Sequence, residues 1–361
     1  MQWFEALSEG GHEQLLLASN PEVGLTAIVA IHNTALGPAL GGCRLLDYPT
    51  EEMALQEVLS LARHMTYKAA MAGLDLGGGA AVIVGDPSVK TEAMFRAFGR
   101  HVASMGGRFI AAEDTNTTVA DMDAIRRETR WVVGTGAGLG GSGDPAPYTA
   151  WGIFHGMRAT MEVVYGTPTL QGRTVAIQGL GNVGFRLARH LHEAGASLIF
   201  ADFNEKRVEE ARAAFGGRAV SPEEIFGVEC DILAPCAVGG LLSPHTIPSI
   251  RARVVAGAAN QLLECDERDA AQLQAQGVLY VPDYVINAGG LISVSGELRG
   301  WSREKSMADA AAIFERAKQV LNRARLQRIT TYEAANRIAE ERMAVVSRLQ
   351  RLRLPQERAR R

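Results

Sequence analysis

The run Gly179-Leu-Gly-Asn-Val-Gly184 constrains this chain more than any other segment, because of what flanks it. The residues before it, TVAIQ, read as a short apolar strand, and those after it continue as a helix to about Ala194. Each glycine answers a steric demand: Gly179 the tight turn, Gly181 the approach of backbone to a pyrophosphate, Gly184 the close packing of helix on strand. A diphosphate would rest on the unsatisfied N–H groups at the helix start, which also brings in Asn182 and Val183. The next strand, SLIFADF, carries Asp202, 18 residues past Gly184. A carboxylate there accepts hydrogen bonds from a ribose 2′-hydroxyl and repels a 2′-phosphate, so the pattern favours NAD over NADP. The plainer alternative is a tight strand–helix turn with no ligand. No GxxxxGK[ST] supports an ATPase.

Around this unit the chain alternates strand and helix, which predicts an α/β fold with strands layered between helices. At 361 residues it exceeds a comfortable single core, and two domains are expected. In the first third, strands are expected at Leu25–Ile31, Ala81–Val84 and Arg108–Ala112, and helices at Thr50–Met65, Thr91–Ser104 and Val119–Glu128. The stretch GTGAGLGGSGDPAP (Gly134–Pro147) is too rich in Gly and Pro to sit inside an element, so a domain junction belongs there, followed by a helix to Tyr165. The expected units are residues 1–145, a Rossmann domain over 146–330, and a C-terminal segment, 331–361, returning to the junction. Ser302–Arg351 reads as two helices rich in Ala, Glu, Arg and Leu.

Charge and cysteine content narrow the function. Lys and Arg number 37 against 40 Asp and Glu, a balance that does not suit a nucleic-acid or membrane-surface binder. The five arginines between Gln350 and Arg361 read as a solvated helix end. Cys43, Cys230, Cys236 and Cys265 form no CxxC pair and no zinc spacing, and no apolar run is long enough to span a membrane. A cytoplasmic protein with reduced cysteines and no metal is the expectation.

Three insertions stand at strand ends, where α/β folds gather ligand sites: GPALGGCR (Gly37–Arg44), Met65–Pro87 and AAEDTNTTVADMD (Ala111–Asp123). Together with TEAMFRAFGR, QGLGNVG, GVECDILAPCA, VVAGAAN and PDYVINAGG, they closely resemble the Glu/Leu/Phe/Val dehydrogenases, the leucine dehydrogenase branch in particular. The resemblance covers nearly the whole chain. It implies an enzyme that reversibly oxidises an L-amino acid to a 2-oxo acid and ammonia, passing hydride to NAD, and that works as a homo-oligomer.

The resemblance also implies roles. Lys68 of MTYK would bind the substrate carboxylate with Gly41 and Asn287; read alone it is a solvated helix-end lysine. Asp114 of AAED would exchange a proton with the substrate amine; read alone it is a turn or N-cap aspartate. Asn260 and Asn287 would contact nicotinamide or substrate, and Thr149 and Ala237 would join the glycine loop around the cofactor. Leu40, Ala112, Leu291 and Val294 would form an aliphatic side-chain pocket, suited to leucine, isoleucine and valine.

One position departs from the pattern. The family carries a second lysine in a GGGK run, as the base that activates water against the imine, whereas this chain reads Gly77-Gly-Gly-Ala80. Asp114 would also lose a cationic partner. Three readings stay open: a dehydrogenase with its lysine removed by design, a natural enzyme that works slowly or on a different imine, and a paralogue that binds without turnover. On any of them, severely reduced deamination is expected.

Overall fold

A computed structural model describes residues 3–237 and 239–349; the basic tail beyond them lies outside the described residues. The first half runs α1 (Trp3–Gly10), β1 (Gln14–Asn20), β2 (Leu25–Asn33), β3 (Ala39–Leu46) and α2 (Glu51–Met71). It continues with β4 (Gly77–Val84), α3 (Glu92–Ser104), β5 (Phe109–Glu113) and α4 (Val119–Arg126). Threonines set the helix starts: Thr50, Thr91 and Thr118 each accept a backbone N–H from the first turn. The strands form one sheet in the order β1-β2-β4-β3-β5, with β3 parallel to β4 and β5 and the β1–β2–β4 edge antiparallel.

Two of the three insertions turn out to be strand. Gly37–Arg44 is mostly β3, and the Gly77–Ala80 run opens β4 rather than a loop. Glycine is required there by close approach: a Cβ on Gly41 would lie 1.7 Å from the Gly79 carbonyl oxygen, and one on Gly78 would lie 2.1 Å from Thr66 N on α2. On one sheet face Phe95 and Phe98 of α3 and Met122 and Ile125 of α4 join Phe109 of β5 in one core cluster. The other packs Ile28, Ala30, Ala80 and Val82 under Leu55, Val58 and Ala62 of α2.

A long helix, α5 (Ala146–Tyr165), leads into the second half. There β6 (Thr174–Gln178), α6 (Asn182–Glu193), β7 (Ser197–Ala201), α7 (Glu205–Phe215), β8 (Arg218–Ala219), β9 (Ile232–Pro235), β10 (Val254–Val255), α8 (Asp266–Ala275) and β11 (Leu279–Tyr280) alternate. The six strands are parallel in the order β11-β10-β9-β6-β7-β8, the doubly wound arrangement with its switch point between β6 and β9. The chain closes with α9 (Asp283–Ile286), α10 (Gly289–Arg299), α11 (Arg303–Ala311), α12 (Ile313–Gln327) and α13 (Thr331–Leu349). The final portion is therefore three helices, not two, because a break at Ala312 divides the first expected helix.

These last helices knit the halves together. Gly152 and Gly156 let α5 lie against Ile313 and Ile286, and α13 reaches back to α2 through Tyr67 Oη donating to Glu340 (2.9 Å). The glycine-rich junction is tied down by one carboxylate on α10. Glu297 accepts from Gly134 N (2.9 Å), Thr135 Oγ1 (3.2 Å), Ser142 N (3.1 Å) and Ser142 Oγ (3.2 Å). Glu297→Ala leaves those donors unpaired and should cost about 1–3 kcal/mol in a thermal or denaturant melt, with faster proteolysis between Gly134 and Asp144. An unchanged melt and cleavage pattern would mean water replaces the carboxylate at no cost.

Candidate active site

The N-terminal half of β3, the C-terminal end of β5, the C-terminal half of α2 and the start of α10 converge on a cavity of about 260 Å³ at the junction. Lys68, Asp114, Asn260 and Asn287 line it, as do Thr149 and Val183. Its apolar wall is Leu40, Ala112, Leu291 and Val294, joined by Met65, which sequence reasoning missed. Gly41 and Ala80 are not among the lining residues. Gly41 is used in the sheet contact described above.

Lys68 is not a solvated helix-end lysine: its side chain is buried, at 8% exposure, one α2 turn beyond His64. Its Nζ donates to Asn260 Oδ1 (2.8 Å), which also accepts from Asn287 Nδ2 (2.8 Å); that amide donates in turn to Ala258 O (3.0 Å). Asn287 Oδ1 is left buried without a protein partner, an acceptor facing the junction. Burial pulls the Lys68 ammonium down to about 8, opposed by the Asp283 and Asp114 carboxylates, which favour the charged form. His64, 3.6 Å from Asp283, is pushed by burial down to about 4 and stays neutral.

Asp114 follows β5 directly and does not cap α4, since Thr118 does that in a reciprocal capping box with Asp121. Its Oδ1 accepts from Thr115 N (2.7 Å) and Arg44 Nη2 (3.3 Å), while Arg44 also pairs with Glu57 of α2. The expected loss of a cationic partner is therefore corrected: β3 supplies a guanidinium, which stays charged throughout the physiological range. Only strand pairing brings Arg44 to Asp114, so neither residue's sequence neighbourhood signals the contact. Lys90 cannot serve the site, because its Nζ is held by Asp121 (2.6 Å) and Asn116 O (3.0 Å).

Ala80 lies beside this group in the sheet. Cys43 pairs with Ala81, which sets Ala80 level with Gly42, and Gly42 pairs with Ala112. Gly42 has room for no Cβ, since one would lie 2.6 Å from Asp114 Cβ. A long side chain at residue 80 would emerge on this face and cross Gly42 toward the carboxylate. The alanine is instead 1% exposed, sealed in the apolar layer under α2.

The glycine loop borders a second, larger cavity of about 820 Å³, lined by Gly179, Gly181, Asp202 and Ala237. Gly179 has φ +97°, and its Cβ would lie 2.9 Å from Ala237 N; a Cβ on Gly184 would lie 2.0 Å from the Gly179 carbonyl oxygen. At Gly181 a Cβ would meet no protein atom, so that glycine keeps space open for a ligand at the start of α6. Asn182 opens α6 as its first residue. Asp202 accepts from Leu180 N (2.6 Å) and Asn204 N (2.8 Å), which aims its carboxylate at the cavity edge. These residues fit a dinucleotide. Among the described residues no His/Cys/Asp/Glu cluster could hold a metal, and no helix is long and apolar enough to cross a membrane.

A carboxylate ligand paired to Lys68 requires the protonated amine. Its affinity should be flat below the Lys68 titration and fall about tenfold per pH unit above about 8, as calorimetry with a 2-oxo acid and NADH would read. Lys68→Met should weaken binding and flatten the profile. A flat profile through pH ~10 in the parent chain would show that the carboxylate does not meet Lys68.

Comparison with known proteins agrees with this arrangement. Residues 12–131 match the family described as Glu/Leu/Phe/Val dehydrogenase, dimerisation domain, and residues 140–202 and 201–351 match Glutamate/Leucine/Phenylalanine/Valine dehydrogenase. A leucine dehydrogenase of Geobacillus stearothermophilus is 50% identical over 344 residues, 95% of this chain and 94% of that one. A valine dehydrogenase of Streptomyces virginiae is 47% identical, over 93% of this chain and 95% of that one. The crystal structure of L-tryptophan dehydrogenase from Nostoc punctiforme superposes with a TM-score of 0.82 at 44% identity, over 95% of this chain and 99% of that one. With family models matching across both halves and a relative 50% identical over 95% of the chain's length, this chain belongs to the Glu/Leu/Phe/Val dehydrogenase family of amino acid dehydrogenases.

Proposed function

We propose that this chain is an NAD-dependent dehydrogenase for aliphatic L-amino acids whose imine-hydrolysis step is severely slowed by Ala80. The observation that carries the reading is the convergence of Lys68, Asp114, Asn260 and Asn287 on one cavity beside the glycine loop. Lys68 takes the substrate carboxylate in exchange for Asn260, and Asn287 Oδ1 offers an acceptor to the substrate amine or the cofactor amide. Asp114, held by Arg44 and Thr115, accepts the proton that must leave the ammonium before Cα can give up hydride. A nicotinamide bound from the glycine-loop side would receive that hydride. Leu40, Met65, Ala112, Leu291 and Val294 offer no charge to a second substrate carboxylate, which favours leucine, isoleucine and valine over glutamate.

Water attack on the imine then needs a base, and residue 80 supplies a methyl group. NADH formation from L-leucine at alkaline pH should rise by ~10²–10⁴ in an Ala80→Lys variant over the parent chain. Equal inertness of both proteins, with NADH still bound, would overturn the dehydrogenase reading. We also propose NAD over NADP on the strength of Asp202: NADH should bind at least about tenfold more tightly than NADPH, and Asp202→Asn should narrow that gap. Equal affinities in the parent chain would remove Asp202 as the selector. A cytoplasmic homo-oligomer completes the proposal; its oligomeric part is supported by the edge strand β1, whose Leu17 is exposed, in the half that matches a dimerisation domain.

A further inference from the structure

Making an amino acid from a 2-oxo acid and ammonia joins two unlike reactions in one cavity. Ammonia must add to the carbonyl and water must leave, which moves protons at two separate atoms. Delivering hydride to the resulting carbon–nitrogen double bond moves none, once the nitrogen already carries its proton. The cavity serves these halves unequally.

Among the described residues, the ionisable groups lining it are Lys68, Glu113 and Asp114. Lys68 is committed to the ligand's carboxylate. Asp114 is a single acceptor, pinned between Thr115 N and the Arg44 guanidinium. Glu113 follows Ala112 on β5 and so leaves the sheet on the opposite face; burial, with Asp144 and Asp114 nearby, raises it toward the neutral acid. On the face shared by Gly42 and Ala112, residue 80 has no proton to give or take. One carboxylate cannot hold the nitrogen and also move the protons of an oxygen that enters or leaves. It is sufficient for holding a preformed iminium.

We propose that this chain reduces preformed cyclic 2-imino acids with NADH, and does so much faster than it aminates a 2-oxo acid. The proposal builds on the dehydrogenase reading above and names the substrate class that the altered site suits. The probe class is a five- or six-membered ring with a carboxylate on the carbon of the C=N bond, protonated at nitrogen. Its carboxylate pairs with Lys68, its N–H donates to Asp114, and its ring methylenes meet Leu40, Met65, Ala112 and Val294. The hydride of NADH forms the new C–H bond at C2, and the electron pair of the C=N π bond moves to nitrogen. NAD⁺ and a neutral cyclic secondary amino acid result, and the amine takes a proton from solvent. No water enters or leaves, so the missing base is not called upon.

The test measures NADH consumption by the full chain and by Ala80→Lys, with Δ1-piperideine-2-carboxylate and, separately, with 4-methyl-2-oxopentanoate plus ammonium. NADH deuterated at the transferred position reports delivery to C2 by mass spectrometry. For the parent chain, kcat/KM on the cyclic imine should exceed that on the oxo acid by at least ~10², and Ala80→Lys should shrink the ratio by a similar factor as amination recovers. Amination by Ala80→Lys with no imine reduction by the parent chain overturns the proposal and leaves the dehydrogenase reading standing. A parent chain that aminates as fast as it reduces the imine also overturns it. Inertness of both proteins on both substrates, with NADH bound, sinks the dehydrogenase reading and the proposal together.

Discussion

Lys68 sits where it does because Gly78 of β4 presents no side chain to hold the C-terminal half of α2 away. Thr66, two residues before it, packs so closely on β4 that any Cβ at Gly78 would lie 2.1 Å from its backbone nitrogen. The same absence at Gly41 lets β3 and β4 approach, and at Gly42 it makes room for the Asp114 carboxylate. Ordinarily glycine weakens a strand, through lost packing and greater chain entropy. Here that cost is what brings a buried ammonium and a carboxylate to one cavity. A single side chain at Gly42 would displace Asp114, and one at Gly78 would lift the half of α2 that carries Lys68.

Burial then decides how charge is distributed. An isolated ion inside a protein is expensive, so each one here has a partner: Glu57 and Asp114 flank Arg44, and Asn260 receives Lys68. Residue 80 lies next to this chain of charges but among Ile28, Ala30, Leu55, Val58 and Ala62. A lysine there would thread its stem through an apolar layer and desolvate an ammonium already close to a guanidinium. Alanine removes that strain and fills the layer. Ala80 is accordingly 1% exposed in that layer.

The Rossmann half was largely legible in the sequence because its signals are local. A strand, a glycine turn, a helix and an acidic residue follow one another at fixed spacing; Gly179 and Gly184 meet the steric demands read for them, and Asp202 follows β7 at the edge of the larger cavity. The first half was less legible where glycine carried the structure. GPALGGCR and GGGA look like loops by composition, yet they are strands because their neighbours lie too close for side chains. Arg44 was missed for another reason. Its contact with Asp114 spans 70 residues of sequence and depends on the parallel pairing of β3 with β5, which no local pattern encodes. The division of the last helices at Ala312 was equally invisible, since alanine there favours continuation.

What holds Lys68 before a ligand arrives bears on how the cavity is used. Its one acceptor across the junction is an amide oxygen that already accepts from Asn287. A carboxylate in that place would satisfy the ammonium fully, and an incoming ligand would have to displace it against a strong Coulombic attraction. A shared amide compensates the charge only in part, and burial lowers the titration of Lys68 as well. An incoming carboxylate therefore meets a cation that gains from the exchange. Because Asn260 belongs to the Rossmann half and Lys68 to the other, a ligand that took Asn260's place would also loosen one tie between the halves.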